Sequence, residues 1–192
     1  IGMPMGHDNG TIGNAVADAG IESFYAFSQV DRTRMVKINA PMYLITYSQT
    51  QLLLAEAATY GWVSGSPSTY FENGVRAHME LMATYDNDSA IPESAINEYL
   101  LANPFNGSLE QIYSQYWIAC FLNGPEAYAN FRRTGFPNLT PNPYPGQDIS
   151  GDFIMRVTYP SSELAVNKEN VDEAVARMGP DNLDTRVWWD KE

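Results

Sequence analysis

The stretch SLEQIYSQYWIACFLNGPEAYANFRRTGFP, residues 108–137, carries the clearest structural signals of the chain. Ser108 and Gln111 have the spacing of a capping box, in which two side chains satisfy free backbone amides at the start of a helix. The apolar residues behind them fall on one side of a helix: Leu109, Ile112, Tyr113, Tyr116 and Cys120. Asn123 and Gly124 are typical of a helix end. The stretch therefore begins with a predicted amphipathic helix.

A second, shorter helix is predicted directly behind the first, over PEAYANFRR. Pro125 suits the first helical position, and Gly135 is typical of the residue after a helix end. The segment that follows contains four prolines: Pro137, Pro141, Pro143 and Pro145. Because proline has no amide hydrogen and a fixed φ angle, residues 136–151 are predicted to form an extended loop without regular structure.

Three more helices are predicted upstream. The first follows Pro41 and stops at Gly61, and its apolar residues near helical spacing are Leu44, Tyr47, Leu52 and Ala55. The second begins with Ser66 and Pro67, and its apolar face consists of Tyr70, Phe71, Val75, Met79 and Met82. A third, shorter helix ends before Pro104, which clashes with a helical residue in front of it. The first two helices are close enough in sequence to pack as an antiparallel hairpin.

The two ends of the chain are less regular. In residues 1–40 the alternating pieces SFYAFSQV and RMVKI predict one or two short strands. Near the C-terminus FIMRVTYP predicts a brief extended piece, and ENVDEAVARMG predicts a final helix closed by Gly179. The predicted fold class is all-α, with tetratricopeptide-like helical hairpins and long irregular loops.

The chain opens at Ile1 without an initiator methionine. We therefore interpret residues 1–40 as an irregular lead-in that continues from a missing N-terminal half, and residues 41–192 as the helical region. A processed mature N-terminus is the alternative interpretation.

The composition excludes several classes of partner. The 192 residues are 44% hydrophobic and 18% charged, and 23 acidic against 11 basic residues give a formal net charge of -12. Nucleic-acid binding is disfavoured because it depends on neutralising phosphates with Lys and Arg, and an anionic membrane surface is disfavoured for the same reason. No apolar run approaches the roughly 20 residues that a membrane-spanning helix needs.

Few residues could hold a metal or a cofactor. Cys120 is the single cysteine, so it forms neither an intrachain disulfide nor a thiolate zinc site on its own. The two histidines, His7 and His78, form no H-E-x-x-H motif. The acidic residues at 86–88 and 181–184 offer oxygen ligands to calcium, but they lack the glycine and distal glutamate of an EF-hand loop and are better interpreted as turns. We expect no cofactor and no transition metal, and calcium binding stays open.

No catalytic constellation stands out. GWVSG places Ser64 one position late for a nucleophile elbow, and GMPMGHDNG has no lysine behind its glycines. A glycoside hydrolase needs two facing carboxyl groups, and 23 acidic residues allow many pairs. We expect no catalytic residues and no enzyme activity, with a glycoside hydrolase as a weaker alternative.

Aromatic residues, 12% of the chain, are better candidates for binding. Aromatic rings bury a large area at low entropic cost and stack on the apolar faces of sugars. Trp117 lies inside an amphipathic helix and is interpreted as a core residue. Trp62, in a tight loop between helices, and Trp188 and Trp189, near the C-terminus, are the candidate ligand-binding residues.

The basic residues favour an internal role. Arginine outnumbers lysine eight to three, and the planar guanidinium fork suits carboxylates and carbonyls in fixed geometry. Arg132 and Arg133 could form an anion site or an internal clamp. We interpret them as clamps that fasten the short helix to neighbouring loops.

Three sequence motifs occur in a specific order. A helix with an A-E-A core contains Glu56, and an aromatic helix leads through N-G to R-R-T-G-x-P at residues 132–137. An R-x-x-Y-P-x-x-E-x-x-x-N motif follows, and its residues are Arg156, Tyr159, Pro160, Glu163 and Asn167. Together the motifs resemble those of the SusD/RagB family of outer-membrane nutrient-binding lipoproteins, in particular its SusD-like subgroup.

The resemblance implies a SusD-like fold, of which residues 41–192 would be the helical C-terminal region. It implies structural roles for the motif residues Glu56, Arg132, Arg133, Arg156, Tyr159, Glu163 and Asn167. Family members are lipid-anchored at the outer-membrane surface of Gram-negative bacteria and bind glycans or peptides without turning them over. They sit as a lid on a TonB-dependent transporter of the SusC type. The lipidated cysteine and the N-terminal half, which holds most ligand-contacting residues of the family, are absent from these 192 residues.

The resulting hypothesis is non-catalytic binding of glycans or other nutrient oligomers at the cell surface, for delivery to a SusC-like transporter. The alternative is a helical scaffold that binds another protein and no small ligand. A membrane contact is expected only through a lipid anchor that this chain does not contain.

Overall fold

The computed structural model describes residues 1–190, and it contains eight α-helices and no β-strand within that range. The helices are α1 Ile12–Asp18, α2 Tyr47–Thr59, α3 Pro67–Tyr85, α4 Glu93–Ala102, α5 Leu109–Ala119, α6 Gly124–Thr134, α7 Ser161–Val166 and α8 Lys168–Met178. Two short 3-10 turns lie at Phe24–Ala26 and Asn87–Ser89. The all-α class predicted from the sequence is confirmed.

The described chain divides into two compact units. The central unit consists of residues 30–139 and contains α2 to α6. The terminal unit combines residues 1–29 with the described residues from Thr140 onward, and it contains α1, α7 and α8. Residues 1–29 and 140–190 therefore fold together.

The core of the central unit is built on the predicted hairpin of α2 and α3. Its buried cluster contains Leu52, Ala55, Phe71, Val75, Ile112, Tyr113, Tyr116, Ala119 and Cys120. These residues come from α2, α3 and α5, so the aromatic helix α5 packs on both members of the hairpin. Burying each of the large apolar side chains contributes about 1.5–3 kcal/mol relative to leaving it exposed. Burial also raises the pKa of the Cys120 thiol to about 11, so this cysteine stays protonated at neutral pH.

Side chains cap the starts of α2, α3 and α5, with two differences from the sequence-based prediction. A complete capping box forms at Thr46 and Gln49, which the sequence analysis missed. At α5 only half of the predicted box forms. The Ser108 hydroxyl accepts from the Gln111 amide at 3.2 Å, but the Gln111 side chain accepts from the Asn106 amide instead of returning to Ser108.

The start of α2 was placed too early in the sequence analysis. The Thr46 cap begins the helix at Tyr47, so the segment from Pro41 to Ile45 lies outside it. Leu44 and Tyr47, which were counted among the apolar residues near helical spacing, are exposed. The reason is that the capping box, and not the proline, sets the first turn.

The prediction of short strands in residues 1–40 is wrong. This region forms α1, a 3-10 turn and loops. Asp8 accepts hydrogen bonds from the amides of Gly10 and Thr11, and Asp31 accepts from the amide of Thr33, each at 2.9 Å. Such local side-chain contacts satisfy amides that a strand ladder would need and so favour turns.

In the terminal unit, α8 is confirmed, and the preceding helix α7 was not predicted. The proline-rich segment 136–151 has no regular structure, as expected. The Asp184 carboxylate accepts from the amide of Ser150 at 3.0 Å and from its hydroxyl at 3.0 Å. These hydrogen bonds lower the pKa of Asp184 and anchor the far end of the loop.

Replacing Gly74 by alanine tests the close packing of the hairpin. A Cβ atom at this position would lie 2.7 Å from Leu52 Cγ and 3.2 Å from the Ser48 carbonyl oxygen. We expect Gly74→Ala to lower the free energy of unfolding by about 1–3 kcal/mol, because overpacking outweighs the better helix propensity of alanine. Urea denaturation measures the change, and Gly124→Ala, whose Cβ meets nothing within 4 Å, is the control. A Gly74→Ala protein as stable as the Gly124→Ala protein would contradict the packing.

Candidate functional site

Glu56, on α2, is a charged residue inside the core, only 8% exposed. Arg133, in the last turn of α6, forms a bidentate salt bridge with Glu56. Its Nη1 lies 2.6 Å from Oε1 and its Nη2 lies 3.0 Å from Oε2. Hydrogen bonding to Glu56 raises the pKa of Arg133 above its ordinary value. A buried carboxylate is tolerated only with such a partner, so this contact ties α6 to the hairpin.

Tyr113, on α5, completes the arrangement. Its hydroxyl donates to Glu56 Oε1 at 3.0 Å, and the Arg133 guanidinium lies over its ring at 5.1 Å from the centroid. Phe136 stacks on the same ring at 6.2 Å. Burial, together with hydrogen bonds to Tyr60 and Glu56, raises the pKa of Tyr113, so the phenol keeps its proton. Glu56, Arg133 and Tyr113 are called the clamp cluster below.

The clamp cluster extends to an exposed pair of aromatic rings. The Tyr60 hydroxyl lies 3.4 Å from the Tyr113 hydroxyl, and the Tyr60 ring stacks on Trp62 with centroids 4.6 Å apart and planes 18° from parallel. Trp62 is 73% exposed and Tyr60 is 47% exposed. Tyr60 and Trp62, called the aromatic platform below, form a stacked pair of rings that is open to solvent mainly at Trp62. Tyr113 connects Tyr60 to the buried carboxylate of Glu56.

Local backbone geometry explains how the platform forms. Tyr60 ends α2, and Gly61 follows with a φ angle of 72°, a value that glycine adopts at low cost. The Trp62 amide then donates to the Ala57 carbonyl at 2.9 Å. The sequence analysis found Trp62 and missed Tyr60. The available signal was the pattern of two aromatic residues separated by a glycine at a helix end.

The other predicted ligand residues lie in the terminal unit. Trp188 is 87% exposed and lines an open cavity of about 430 Å³ with Arg177 and Arg186. Trp189 is also exposed. The ligand-binding roles of these residues stay predictions. Arg186 is bound to Asp190 at 3.0 Å.

The interpretation of Trp117 as a core residue is wrong. Its side chain is 36% exposed, because other residues of α5 take the buried face: Ile112, Tyr113 and Tyr116. Trp117 lies one position beyond that face.

The third motif forms its own contacts in the terminal unit. Arg156 pairs with Asp181 at 2.9 Å and lies over the Tyr159 ring at 5.2 Å. The Asp181 carboxylate also accepts from the Tyr159 amide at 3.2 Å. Glu163 accepts from the Asn167 side chain at 3.0 Å, where α7 meets α8. These contacts support the structural role expected of the motif.

Arg132 lies beside Arg133 in the last turn of α6 and is partly buried. Cations at this end of a helix are favoured by the helix dipole. Its role as a clamp stays a prediction.

The acidic segments considered for calcium have other partners. Asp86 pairs with Lys37 at 2.9 Å, and Asp181 pairs with Arg156. Among residues 1–190, no three Cys, His, Asp or Glu side chains converge as metal ligands would. Within the same range, no helix combines the length and the apolar character that crossing a membrane requires.

Comparison with known proteins identifies the family. Residues 3–160 match the SusD-like family that is described as starch-binding and associating with the outer membrane. The chain belongs to this family, and the resemblance inferred from its motifs is confirmed. No curated protein matches the chain.

Solved structures agree with this assignment. A chitin-binding protein is 38% identical with a TM-score of 0.72, over 80% of this chain and 34% of its own. A SusD homologue from Bacteroides fragilis is 30% identical with a TM-score of 0.74, over 100% of this chain and 43% of its own. A chitin-binding SusD homologue from Flavobacterium johnsoniae is 28% identical with a TM-score of 0.60, over 79% of this chain and 37% of its own. The chain thus spans less than half the length of each of these relatives.

The clamp cluster is tested by a double-mutant cycle on Glu56 and Arg133. We expect Arg133→Ala to lower the free energy of unfolding by about 1–2 kcal/mol, less than for a fully buried pair because the Arg133 side chain is 47% exposed. Combining it with Glu56→Gln should reveal a coupling of about 1 kcal/mol. Chemical denaturation of the four proteins measures both values.

Arg177→Ala is the matched control for this cycle. Arg177 makes an exposed contact with Glu173 at 3.6 Å on α8, and its loss should leave stability nearly unchanged. Equal stability of the Arg133→Ala and Arg177→Ala proteins would show that the clamp cluster contributes nothing to the fold.

Proposed function

We propose that the protein binds glycans without turning them over, and that the aromatic platform is a surface on which a sugar ring stacks. The observation that carries the proposal is the exposed Trp62 ring, which stacks on Tyr60, whose hydroxyl lies 3.4 Å from that of Tyr113 in the clamp cluster. The exposed indole of Trp62 presents a broad π-face, which matches the apolar CH face of a pyranose. Its low conformational freedom reduces the entropy lost on binding.

The ligand class follows from the family and from the charge of the chain. The family description names starch, and two of the similar structures are those of chitin-binding proteins. Both polymers consist of pyranose rings without negative charge. The net charge of -12 disfavours anionic glycans through repulsion. We therefore propose neutral oligosaccharides of glucose or N-acetylglucosamine as ligands.

The proposed place of action is the outer-membrane surface, with delivery of the glycan to a SusC-like TonB-dependent transporter. Family membership supports this step. A capture protein needs a rigid scaffold and an accessible binding surface, and the platform has both properties. Co-purification with the tagged protein from its native membrane would identify the transporter.

Trp62→Ala tests the proposal directly. We expect it to weaken binding of N-acetylchitotetraose or maltotetraose about two- to twelvefold, because one stacking contact is worth about 0.5–1.5 kcal/mol. Stability should stay nearly unchanged, since Trp62 is exposed. Isothermal titration calorimetry measures the affinity, and chromatography of the recovered glycan should show no shortened products.

Two variants control this measurement. Trp62→Phe keeps an aromatic ring and should retain part of the affinity. Tyr47→Ala removes another exposed aromatic ring of the central unit and should leave the affinity unchanged. Equal affinity of the Trp62→Ala protein and the unchanged protein would exclude the platform as the glycan surface.

A further inference from the structure

A second candidate surface lies in the terminal unit, where an open groove of about 570 Å³ runs between residues 3–12 and the 3-10 turn at Phe24–Ala26. Its lining includes Met3, His7, Asp8, Asn9, Phe24 and Tyr25. We propose that this groove is an additional carbohydrate subsite, which binds a neutral pyranose of the same oligosaccharide class. The inference rests on the proposed function and adds a site to it. The volume lies within the usual range of small-molecule sites.

Two aromatic rings form one wall of the groove. Phe24 and Tyr25 meet edge to face, with centroids 5.6 Å apart and planes at 74°. Tyr25 is 79% exposed, and Phe24 is partly buried beside it. Phe24 limits the freedom of the Tyr25 ring and leaves its surface open. This is the arrangement that a stacked sugar ring needs, with a hydroxyl available for one polar contact.

Polar groups on the other wall match the hydroxyls of a sugar. Asp8 Oδ1 accepts from the amides of Gly10 and Thr11, and Oδ2 has a long contact of 3.4 Å with the Tyr144 hydroxyl. Hydrogen bonds with Thr11 and Gly10 lower the pKa of Asp8, so its carboxylate is ionised at neutral pH. Oδ2 can therefore accept from sugar hydroxyls. The exposed side chain of Asn9 adds an amide that both donates and accepts.

The charge of the lining selects among glycans. Among residues 1–190, no Lys or Arg lines the groove, and Asp8 places a negative charge in it. A uronic acid or a sulfated sugar would meet this carboxylate without a cation to offset the repulsion. Apolar groups such as Met3 and Ile12 offer contact surface to a CH face or to the methyl of an N-acetyl group. Neutral pyranoses fit both features.

The groove is built on restrained backbone. Gly6 has a φ angle of 87°, and a Cβ there would lie 2.6 Å from Pro143, so the chain packs closely behind the groove. The Ser28 amide donates to the Ile1 carbonyl at 2.8 Å, which joins the two ends of this segment. A preformed surface loses less entropy on binding.

Tyr25→Ala tests the subsite. We expect it to weaken binding of N-acetylchitotetraose or maltotetraose about three- to tenfold in titration calorimetry, while Tyr25→Phe retains most of the affinity. Tyr25 is exposed, so the fold should be unaffected, and Tyr47→Ala is the matched control. An unchanged affinity of Tyr25→Ala together with a weakened Trp62→Ala protein would overturn the subsite and leave the proposed function intact. If the unchanged protein bound neither glycan, both proposals would fall.

Asp8→Asn tests the selectivity. An asparagine keeps an oxygen that can accept from the amides of Gly10 and Thr11 and removes the negative charge. We expect the ratio of the affinity for maltotetraose to the affinity for a galacturonate tetramer to fall at least threefold. A preference identical to that of the unchanged protein would overturn the role of Asp8 in the groove.

Discussion

The contact between the buried carboxylate of Glu56 and the half-exposed Arg133 is the constraint on which the central unit depends. A carboxylate removed from water loses solvation that only a well-oriented cation and further hydrogen bonds replace. Arg133 supplies two of these bonds and Tyr113 supplies a third. Because the three side chains come from α6, α2 and α5, one electrostatic requirement fixes the positions of three helices. The apolar core of the hairpin supplies stability but would tolerate many arrangements of the helices. The bidentate contact between Arg133 and Glu56 requires one specific arrangement.

The same constraint links a family motif to a surface. Tyr113 connects the ion pair to Tyr60, and Tyr60 supports the ring of Trp62. The motif residues thus do not need to touch a ligand in order to shape the surface that we propose for glycan binding. An exposed aromatic ring supported from the interior suits that proposed role, because it limits the entropy lost on binding.

Local patterns predicted much of the fold. The hairpin, the aromatic helix and the short helix before Gly135 all follow from apolar spacing, caps and stop residues, which act within a few positions of the sequence. The beginning of α2 and the strands predicted in residues 1–40 failed for a related reason. In these segments the local structure depends on whether the side chains of Thr46, Asp8 and Asp31 accept hydrogen bonds from nearby backbone amides. The alternation of apolar residues carries no information about these hydrogen bonds.

The candidate sites were less accessible to prediction. Arg133 was interpreted as a clamp from its chemistry, but its partner Glu56 lies 77 positions away, and no local signal joins the two. The aromatic platform requires the turn at Gly61 to bring two rings into parallel contact, and the groove near Tyr25 requires an early segment to fold beside the 24–26 turn. The exposure of a side chain was equally hard to infer. Trp117 and Trp62 have the same side chain, but the packing of α5 and the end of α2 give them different exposure to solvent.

The central claim is that the clamp cluster holds the aromatic platform in its binding geometry, and Tyr113→Phe tests it most directly. This variant removes the hydroxyl that joins Glu56 to Tyr60 and leaves the ring and the Arg133 contact in place. Titration of N-acetylchitotetraose or maltotetraose into the variant should show an affinity weakened about threefold or more, with a loss of stability of only about 1 kcal/mol. A well-folded Tyr113→Phe protein that binds the glycan as tightly as the unchanged protein would contradict the account.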